Sequence, residues 1–227
     1  DFGALGIVLN NSYNEISYNR LVNCIGASYD WVYDGGAIEL SANNSTLDGE
    51  NIHHNWAEGC EGFLELGGPN GSVRNLTLAY NVSVNNGRFL GASLTGGFAV
   101  GLYNVRVENN TFYQLGPRIA GKTERIFCFN AAPNPTMLSV RNNVFYAVGA
   151  SWGMTSHVGF THSNNLYRLD DGNPEYALTT GEIVGHMALM RPHASASRGT
   201  CSWPTTRAST TGSSRTSSPA WRWRSRR

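Results

Sequence analysis

The chain has 227 residues, of which 41% are hydrophobic and 15% are charged, and its formal net charge at pH 7 is +1. A chain of this length and composition can bury one substantial hydrophobic core. It contains no apolar run of about 18 residues and no nucleic-acid-binding signature. We therefore expect neither a membrane nor a nucleic acid as a partner.

Two tetrapeptides, Ala37–Leu40 and Phe63–Leu66, lie 26 residues apart, and Phe89–Ala92 follows another 26 residues on. Each has an apolar second residue, and the first two have a glutamate third. Because a strand alternates its faces at every residue, Glu39 and Glu65 would lie outside a core on the same side. A chain that winds once per repeat would stack them about 4.8 Å apart. Such a pair is unfavourable unless a cation or a reaction uses it.

A second periodic signal, an asparagine at the end of short alternating strands, runs through the chain. Successive asparagines are 22 to 36 residues apart, which is too variable for leucine-rich or ankyrin repeats. Asparagine tolerates left-handed backbone, and its amide can bond to the amides above and below it. The pattern predicts a solenoid of strands with a ladder at Asn19, Asn55, Asn81, Asn110, Asn143 and Asn165. The predicted strands before these asparagines include Glu15–Ser17, Asn51–His53, Thr77–Ala79, Arg106–Glu108 and Ser139–Arg141.

These strands and asparagines resemble those of the right-handed parallel β-helix superfamily, the pectate-lyase-like fold with its internal asparagine ladder. The resemblance covers residues 6 to 167 and implies an all-β domain over residues 1–188 with roughly five to six or more coils. A β-sandwich is disfavoured because its strands pair antiparallel without register-matched repeats. Because members of this superfamily act on carbohydrates, the resemblance implies a polysaccharide or oligosaccharide as the partner.

The C-terminal segment, residues 189–227, differs from the rest of the chain. It is rich in Ser, Thr and Arg, and from Arg191 to Arg227 it has eight arginines and no acidic residue. It is either a basic tail that binds an anionic polymer or the product of a shifted reading frame.

Acidic residues are concentrated in one window of the chain. Between Arg20 and Arg74 there is no lysine or arginine, and the window holds eight of the 16 acidic residues. Because surfaces usually intersperse both signs of charge, we expect a functional acidic face for catalysis or metal binding. Its members are Asp30, Asp34, Glu39, Asp48, Glu50, Glu58, Glu61 and Glu65.

Two cysteines are predicted to lie close together. Cys24 and Cys60 each follow a ladder asparagine by five residues, which places them at the same corner of adjacent coils, within reach of disulfide geometry. A disulfide there would imply an exported protein, and two free buried thiols are the alternative. We expect a secreted or periplasmic protein, as suits an enzyme that acts on polymers too large to import.

Glu39 and Glu65 are the predicted catalytic pair for hydrolysis of a glycosidic bond. This reaction needs one protonated and one ionised carboxyl group, about 5 Å apart for retention and about 6.5–9.5 Å apart for inversion. Repulsion between neighbouring carboxylates raises one pKa and maintains the protonated acid. Asp34, in the turn Tyr33–Gly36, would orient water or assist the base. The paired glycines of that turn would let a ligand approach the backbone closely.

Residues around the acidic turn predict sugar binding. Trp31 and Tyr33 can stack on the apolar faces of sugar rings. Gly91 replaces the glutamate on the next rung and would leave an open shelf, where Arg88 could bond a substrate hydroxyl or carboxylate. The predicted substrate-binding residues are Asp30, Trp31, Tyr33, His54, Trp56, Glu61 and Arg88.

Two other functions are compatible with these residues. A polysaccharide lyase of the resembling fold would bind calcium through acidic side chains and abstract a proton with an arginine or with one of two histidines, His53 and His54. At most one of these histidines would share the cleft, because adjacent strand residues face opposite ways. A non-catalytic β-helix that binds carbohydrate is the third interpretation. The hydrolase requires no cofactor, calcium is possible for the lyase, and the Cys and His spacing predicts no zinc site.

Overall fold

A computed structural model describes residues 4–28, 32–116, 125–149, 153–155, 157–170 and 174–185, with only the backbone for residues 27, 28, 32–34 and 153. All regular structure in these ranges is β-strand, and none of the described residues is helical. The strands are numbered β1 to β24 along the chain. Residues 189–227, the predicted basic segment, lie outside the described residues.

Three parallel sheets contain most of the strands. The first sheet consists of β1 (Leu5–Leu9), β6 (Gly36–Ser41), β10 (Leu64–Gly67), β14 (Leu90–Ala92), β18 (Arg125–Phe129) and β21 (Gly153–Thr155). The second consists of β2 (Glu15–Ser17), β8 (Asn51–His53), β12 (Thr77–Ala79), β16 (Val105–Glu108), β19 (Leu138–Arg141) and β22 (Thr161–Ser163). The third consists of β3 (Arg20–Val22), β9 (Trp56–Glu58), β13 (Val82–Val84), β17 (Thr111–Leu115), β20 (Val144–Val148), β23 (Leu166–Leu169) and β24 (Ile183–Val184).

Two smaller sheets complete the architecture. A short parallel sheet consists of β7 (Thr46–Asp48), β11 (Gly71–Arg74) and β15 (Val100–Tyr103), and an antiparallel hairpin consists of β4 (Gly26–Ser28) and β5 (Val32–Asp34). The chain visits the first, second and third sheets in turn and then returns to the first. The predicted stacking of parallel strands is therefore confirmed, and the all-β architecture is consistent with a β-helix or solenoid.

The predicted 26-residue register is confirmed in the first sheet. Ile38 pairs with Leu64, and Glu39 pairs with Glu65. On the next strand Glu65 pairs with Gly91. The two aliphatic side chains are fully buried, whereas both glutamates are partly exposed, as the alternation of faces requires.

The core lies between the sheets and is filled by apolar side chains from successive strands. In the third sheet, Phe112 pairs with Phe145, which in turn pairs with Tyr167, and all three are fully buried. The rings of Phe145 and Tyr167 stack with their centroids 5.7 Å apart. Full burial of such a side chain contributes about 1.5–3 kcal/mol, so these rows hold neighbouring strands in register.

The asparagine ladder lies at the corner between the second and third sheets. Asn81 is representative, because its side-chain amide donates to Oδ1 of Asn110 at 3.0 Å and to two backbone carbonyls. Its own Oδ1 accepts from the backbone and side-chain amides of Asn55, both at 3.0 Å. Five of the six predicted ladder residues are almost fully buried, and Asn19 is partly buried. The predicted ladder is confirmed.

Among the described residues, the last rung of the ladder is Glu182, which the sequence pattern did not reveal. Oε1 of Glu182 accepts a hydrogen bond from the Asn165 amide at 2.9 Å. The residue before Glu182, Gly181, has φ 70°, and a left-handed residue likewise precedes each ladder asparagine. The left-handed conformation therefore falls one residue before the ladder rather than on it. These preceding residues are Tyr18, His54, Tyr80, Asn109, Asn142 and Asn164.

Candidate functional site

Outward-facing residues form a row across the first sheet, which we call the outward row: Val8, Glu39, Glu65, Gly91 and Cys128. Neighbouring parallel strands lie about 4.8 Å apart, so Glu39 and Glu65 project from adjacent rungs. Cys128 is exposed and continues the row beyond Gly91. Sequence reasoning missed Cys128, although it occupies the third position of a related tetrapeptide, Ile126–Phe129.

Arg88 lies beside the outward row and binds two glutamates. Its Nη2 donates to Oε2 of Glu65 at 2.8 Å and to Oε2 of Glu61 at 2.5 Å. A Cβ at Gly62 would lie 2.9 Å from the Arg88 side chain, and one at Gly91 would lie 3.1 Å from it. The two glycines therefore make room for the arginine. The shelf predicted at Gly91 is occupied by Arg88 rather than open.

The charges around Arg88 explain how the stacked carboxylates are tolerated. The side chain of Arg88 is 23% exposed, that of Glu61 12% and that of Glu65 41%. Burial by itself lowers the pKa of Arg88, but the charges of Glu65 and Glu61 outweigh it and raise the pKa above its usual value. Arg88 is thus a permanent cation next to Glu65. Glu61 is the more buried anchor of this ion pair, and Glu65 is the more accessible partner.

The acidic turn precedes the strand that carries Glu39. Tyr33 and Asp34 belong to β5, where Asp34 pairs with Gly26 across the hairpin. Only the backbone of these two residues is described, so the catalytic role of Asp34 and the sugar contact of Tyr33 stay predictions. The predicted contacts of Asp30 and Trp31 lie outside the described residues.

Gly35 shows why the acidic turn contains paired glycines. It has φ 125°, and a Cβ there would lie 2.2 Å from the carbonyl oxygen of Ala4. The group that approaches this turn closely is therefore the backbone of Ala4, and not the ligand that the sequence suggested.

His54 and Trp56 lie on sheets other than the one that carries the outward row. His54 follows β8 of the second sheet and is exposed. Trp56 begins β9 of the third sheet, is 39% exposed and donates from Nε1 to Glu58 at 3.3 Å. The structure groups Glu39, Glu65 and the Arg88 ion pair on one side of the chain's winding and places these two aromatic residues on other sheets.

The expectation that His53 and His54 face opposite ways is wrong. Their Nδ1 atoms lie 2.8 Å apart. Strand β8 ends at His53, and the left-handed φ of 54° at His54 turns its ring back toward its neighbour. The alternation rule holds within a strand and fails at this corner.

Arginines from flanking coils neutralise part of the acidic window. Arg20 lies 3.2 Å from Glu58, and Arg88 binds Glu61 and Glu65. Another acid of the window, Glu50, is only 1% exposed, and burial is the main cause that raises its pKa. The separation of acidic from basic residues along the sequence is therefore reduced in the folded chain, because the winding places arginines beside the acidic window.

Cys24 and Cys60 lie at one corner of adjacent coils, as predicted, and both are free thiols. The backbone amide of Cys24 donates to Sγ of Cys60 at 3.4 Å, and that of Cys60 donates to Oδ1 of Asn86 at 2.7 Å. Burial is the main cause that raises the pKa of Cys60 to about 12. The three residues form a second, shorter ladder, which accounts for the cysteine spacing without a disulfide.

The described residues hold no group of three or more Asp, Glu, His or Cys side chains arranged to bind a metal ion. The possible calcium site therefore stays a prediction. Within the same residues, no helix is long and apolar enough to cross a membrane.

The outward row offers two carboxylates one rung apart beside a fixed guanidinium. Carboxylates accept hydrogen bonds from sugar hydroxyls, and a partly exposed pair of this kind can supply an acid and a base to one bond. No protein-family model matches the chain, and no similar protein was found among curated proteins or solved structures.

Proposed function

We propose that the stacked sheets form a right-handed parallel β-helix and that the protein is a secreted or periplasmic glycoside hydrolase. Its substrate is a polysaccharide or oligosaccharide bound along the outward row. The observation that carries the proposal is the direct pairing of Glu39 with Glu65 on neighbouring parallel strands. Glycoside hydrolysis requires two carboxyl groups held at such close range. The sequence resemblance to the pectate-lyase-like fold supports the same substrate class.

The contacts of Arg88 divide the roles of the two glutamates. Glu65 accepts a charge-assisted hydrogen bond from Arg88 at 2.8 Å and therefore serves as the carboxylate, either as nucleophile or as base. Glu39 serves as the general acid that protonates the leaving oxygen. Arg88, anchored by Glu61, is a positioning residue that orients Glu65 through its hydrogen bond. Asp34 assists from the hairpin that leads into β6.

The hydrolase proposal is tested by measuring reducing ends released from polygalacturonate, alginate, arabinoxylan and a bacterial β-glucan. Glu39→Gln and Glu65→Gln should each lower the rate by about a thousandfold, because each removes an acid, base or nucleophile from the reaction. Binding of the same glycan, followed by affinity electrophoresis, should persist in both variants.

Glu108→Gln is the matched control for these variants. Glu108 forms an ion pair with Arg141 at 2.8 Å on the second sheet. The substitution therefore removes a comparable ion pair away from the outward row. Its hydrolytic rate should equal that of the wild type. Release of no sugar from any substrate, or full activity in both catalytic variants, contradicts the proposal.

Non-catalytic glycan binding is the second candidate, and the Arg88 ion pairs favour it. Because Arg88 compensates Glu61 and Glu65, the paired glutamates do not require a reaction to explain them. Glycan binding without turnover would support this candidate. The lyase alternative would need an arginine, or His53 or His54, as its base, and the raised pKa of Arg88 opposes proton loss from that arginine. Unsaturated products that vanish on chelation would support the lyase.

A further inference from the structure

Two adjacent histidines and a glutamate form a cluster at the end of β8, on a different sheet from the outward row. The Nδ1 atoms of His53 and His54 lie 2.8 Å apart, and their rings are nearly perpendicular, at 88°. On the opposite side of its ring, Nε2 of His53 lies 3.1 Å from Oε1 of Glu15. The side chain of His53 is 16% exposed, and His54 is exposed, so solvent reaches the cluster.

The hydrogen bonds assign the protons of this cluster when both histidines are neutral. A carboxylate only accepts, so Nε2 of His53 carries a proton that it donates to Glu15. Nδ1 of His53 then has a free lone pair, and Nδ1 of His54 donates its proton to it. One proton therefore lies between the two Nδ1 atoms, and when His54 carries that proton on Nε2 instead, both Nδ1 atoms have a lone pair that can bind a metal.

We propose that His53 and His54 chelate a divalent transition metal through their two Nδ1 atoms. Two nitrogens each about 2.0–2.1 Å from a metal and at right angles to each other lie about 2.9 Å apart, close to the separation seen here. The ring centroids of His53 and His54 are 5.0 Å apart, so the two Nδ1 atoms point at each other, and both rings turn when their lone pairs converge on the metal. Right-angled nitrogen ligands suit copper(II) or nickel(II). Glu15 holds the outer nitrogen of His53, as carboxylates do behind metal-bound histidines. Water completes the coordination, since no group of three protein ligands converges within the described residues.

The corner between the second and third sheets holds His54 beside His53. His54, Tyr18 and Tyr80 have φ of 54°, 58° and 56°, the left-handed conformation found before every ladder asparagine. Both tyrosine rings stack on the His54 ring with centroids 5.1 Å away, which keeps the His54 ring next to His53. Later coils have asparagine at this position, so the histidine and its stacking partners are particular to the early coils. Those later residues are Asn109, Asn142 and Asn164.

Calorimetric titration of the full chain with nickel chloride, without reductant or chelator, tests the proposal. The wild type should bind one nickel ion at this cluster, and His54→Asn and His53→Gln should each weaken that binding at least about tenfold. His54→Asn should fold, because asparagine occupies the equivalent position in three later coils. Circular dichroism checks this. Glu15→Gln should weaken binding about tenfold through the lost contact to His53.

His157→Asn is the matched control, and it should retain the wild-type affinity. Nickel bound elsewhere on the chain is common to all variants and cancels in the difference between them. Electron paramagnetic resonance with copper(II) should show two coordinating nitrogens in the wild type and fewer in His54→Asn. Equal nickel affinity in the wild type and folded His54→Asn, or no nickel binding by the wild type, overturns the proposal. Unchanged affinity in Glu15→Gln overturns the positioning role of Glu15.

Discussion

The asparagine-ladder corner and the outward row place similar polar groups in opposite environments. At the corner, Asn110 is 2% exposed, and both its amide and its carbonyl oxygen are hydrogen-bonded. On the outward row, the Glu65 side chain is 41% exposed and shares one arginine with Glu61. Both regions recur with the winding of the chain. Burial and complete hydrogen bonding mark the corner as structural, whereas partial exposure leaves the row available to a ligand.

Two glutamates sharpen this contrast. The side chain of Glu182 is 0% exposed and ends the ladder, accepting hydrogen bonds from the Tyr167 hydroxyl at 2.6 Å and from the Thr179 amide at 2.8 Å. Burial acts to raise its pKa, but these bonds and those from Asn165 and His162 outweigh it, so the pKa is lowered. A carboxylate can thus be a fully satisfied structural group at the corner, while Glu65 keeps a solvent-facing side.

The largest effect is expected from breaking the middle of the ladder. Asn110→Ala should lower the free energy of unfolding by about 3 kcal/mol, because it removes the Asn110 hydrogen bonds and leaves the buried backbone amide of Asn81 without its acceptor. Urea denaturation followed by circular dichroism measures this change. Asn51→Ala, at an exposed position of β8, should change the free energy of unfolding by no more than about 0.5 kcal/mol. Equal losses in the two variants would show that the ladder is no more important than the surface.

A smaller effect is expected at the end of the ladder. Glu182→Gln should lower the free energy of unfolding at pH 7 by about 2 kcal/mol, because hydrogen bonds to a charged acceptor are lost. The folded pKa lies below the ordinary value of 4.5, so the stabilisation is present above that pH and is lost as pH falls through the folded pKa. The wild type and Glu182→Gln should therefore converge in acid. Urea denaturation from pH 3 to pH 7 tests this, and a gap that widens on acidification would contradict the assigned direction.

The repeats predicted the parts of the structure that depend on backbone periodicity. The pairing of Glu39 with Glu65 and the ladder from Asn19 to Asn165 follow from side chains that recur once per winding. The partner of Glu65 could not be identified in this way. Arg88 reaches it from the turn before the next strand, and its reach depends on the missing Cβ of Gly62 and Gly91.

Two further features escaped sequence reasoning for local reasons. Glu182 takes the place of an asparagine, so a search for one residue type ended the ladder one rung early. The contact between His53 and His54 depends on a left-handed φ, which alternation along a strand cannot predict.

The last prediction concerns the chemical reactivity of cysteines and compares the outward row with the corner that holds Cys24 and Cys60. Cys60 is fully buried at its corner with a pKa raised to about 12, whereas Cys128 is exposed on the outward row. At pH 8 the thiolate fraction of Cys60 should be about a thousandfold below that of an ordinary thiol with a pKa near 8.5. Brief iodoacetamide treatment followed by peptide mass spectrometry should therefore label Cys128 and spare Cys60, and both should react in urea. Peptide mapping without reductant distinguishes burial from oxidation. A Cys24–Cys60 disulfide would also protect Cys60 from labelling, but that protection would persist in urea. Rapid labelling of Cys60 in the folded chain would show that the corner opens to solvent as readily as the row does.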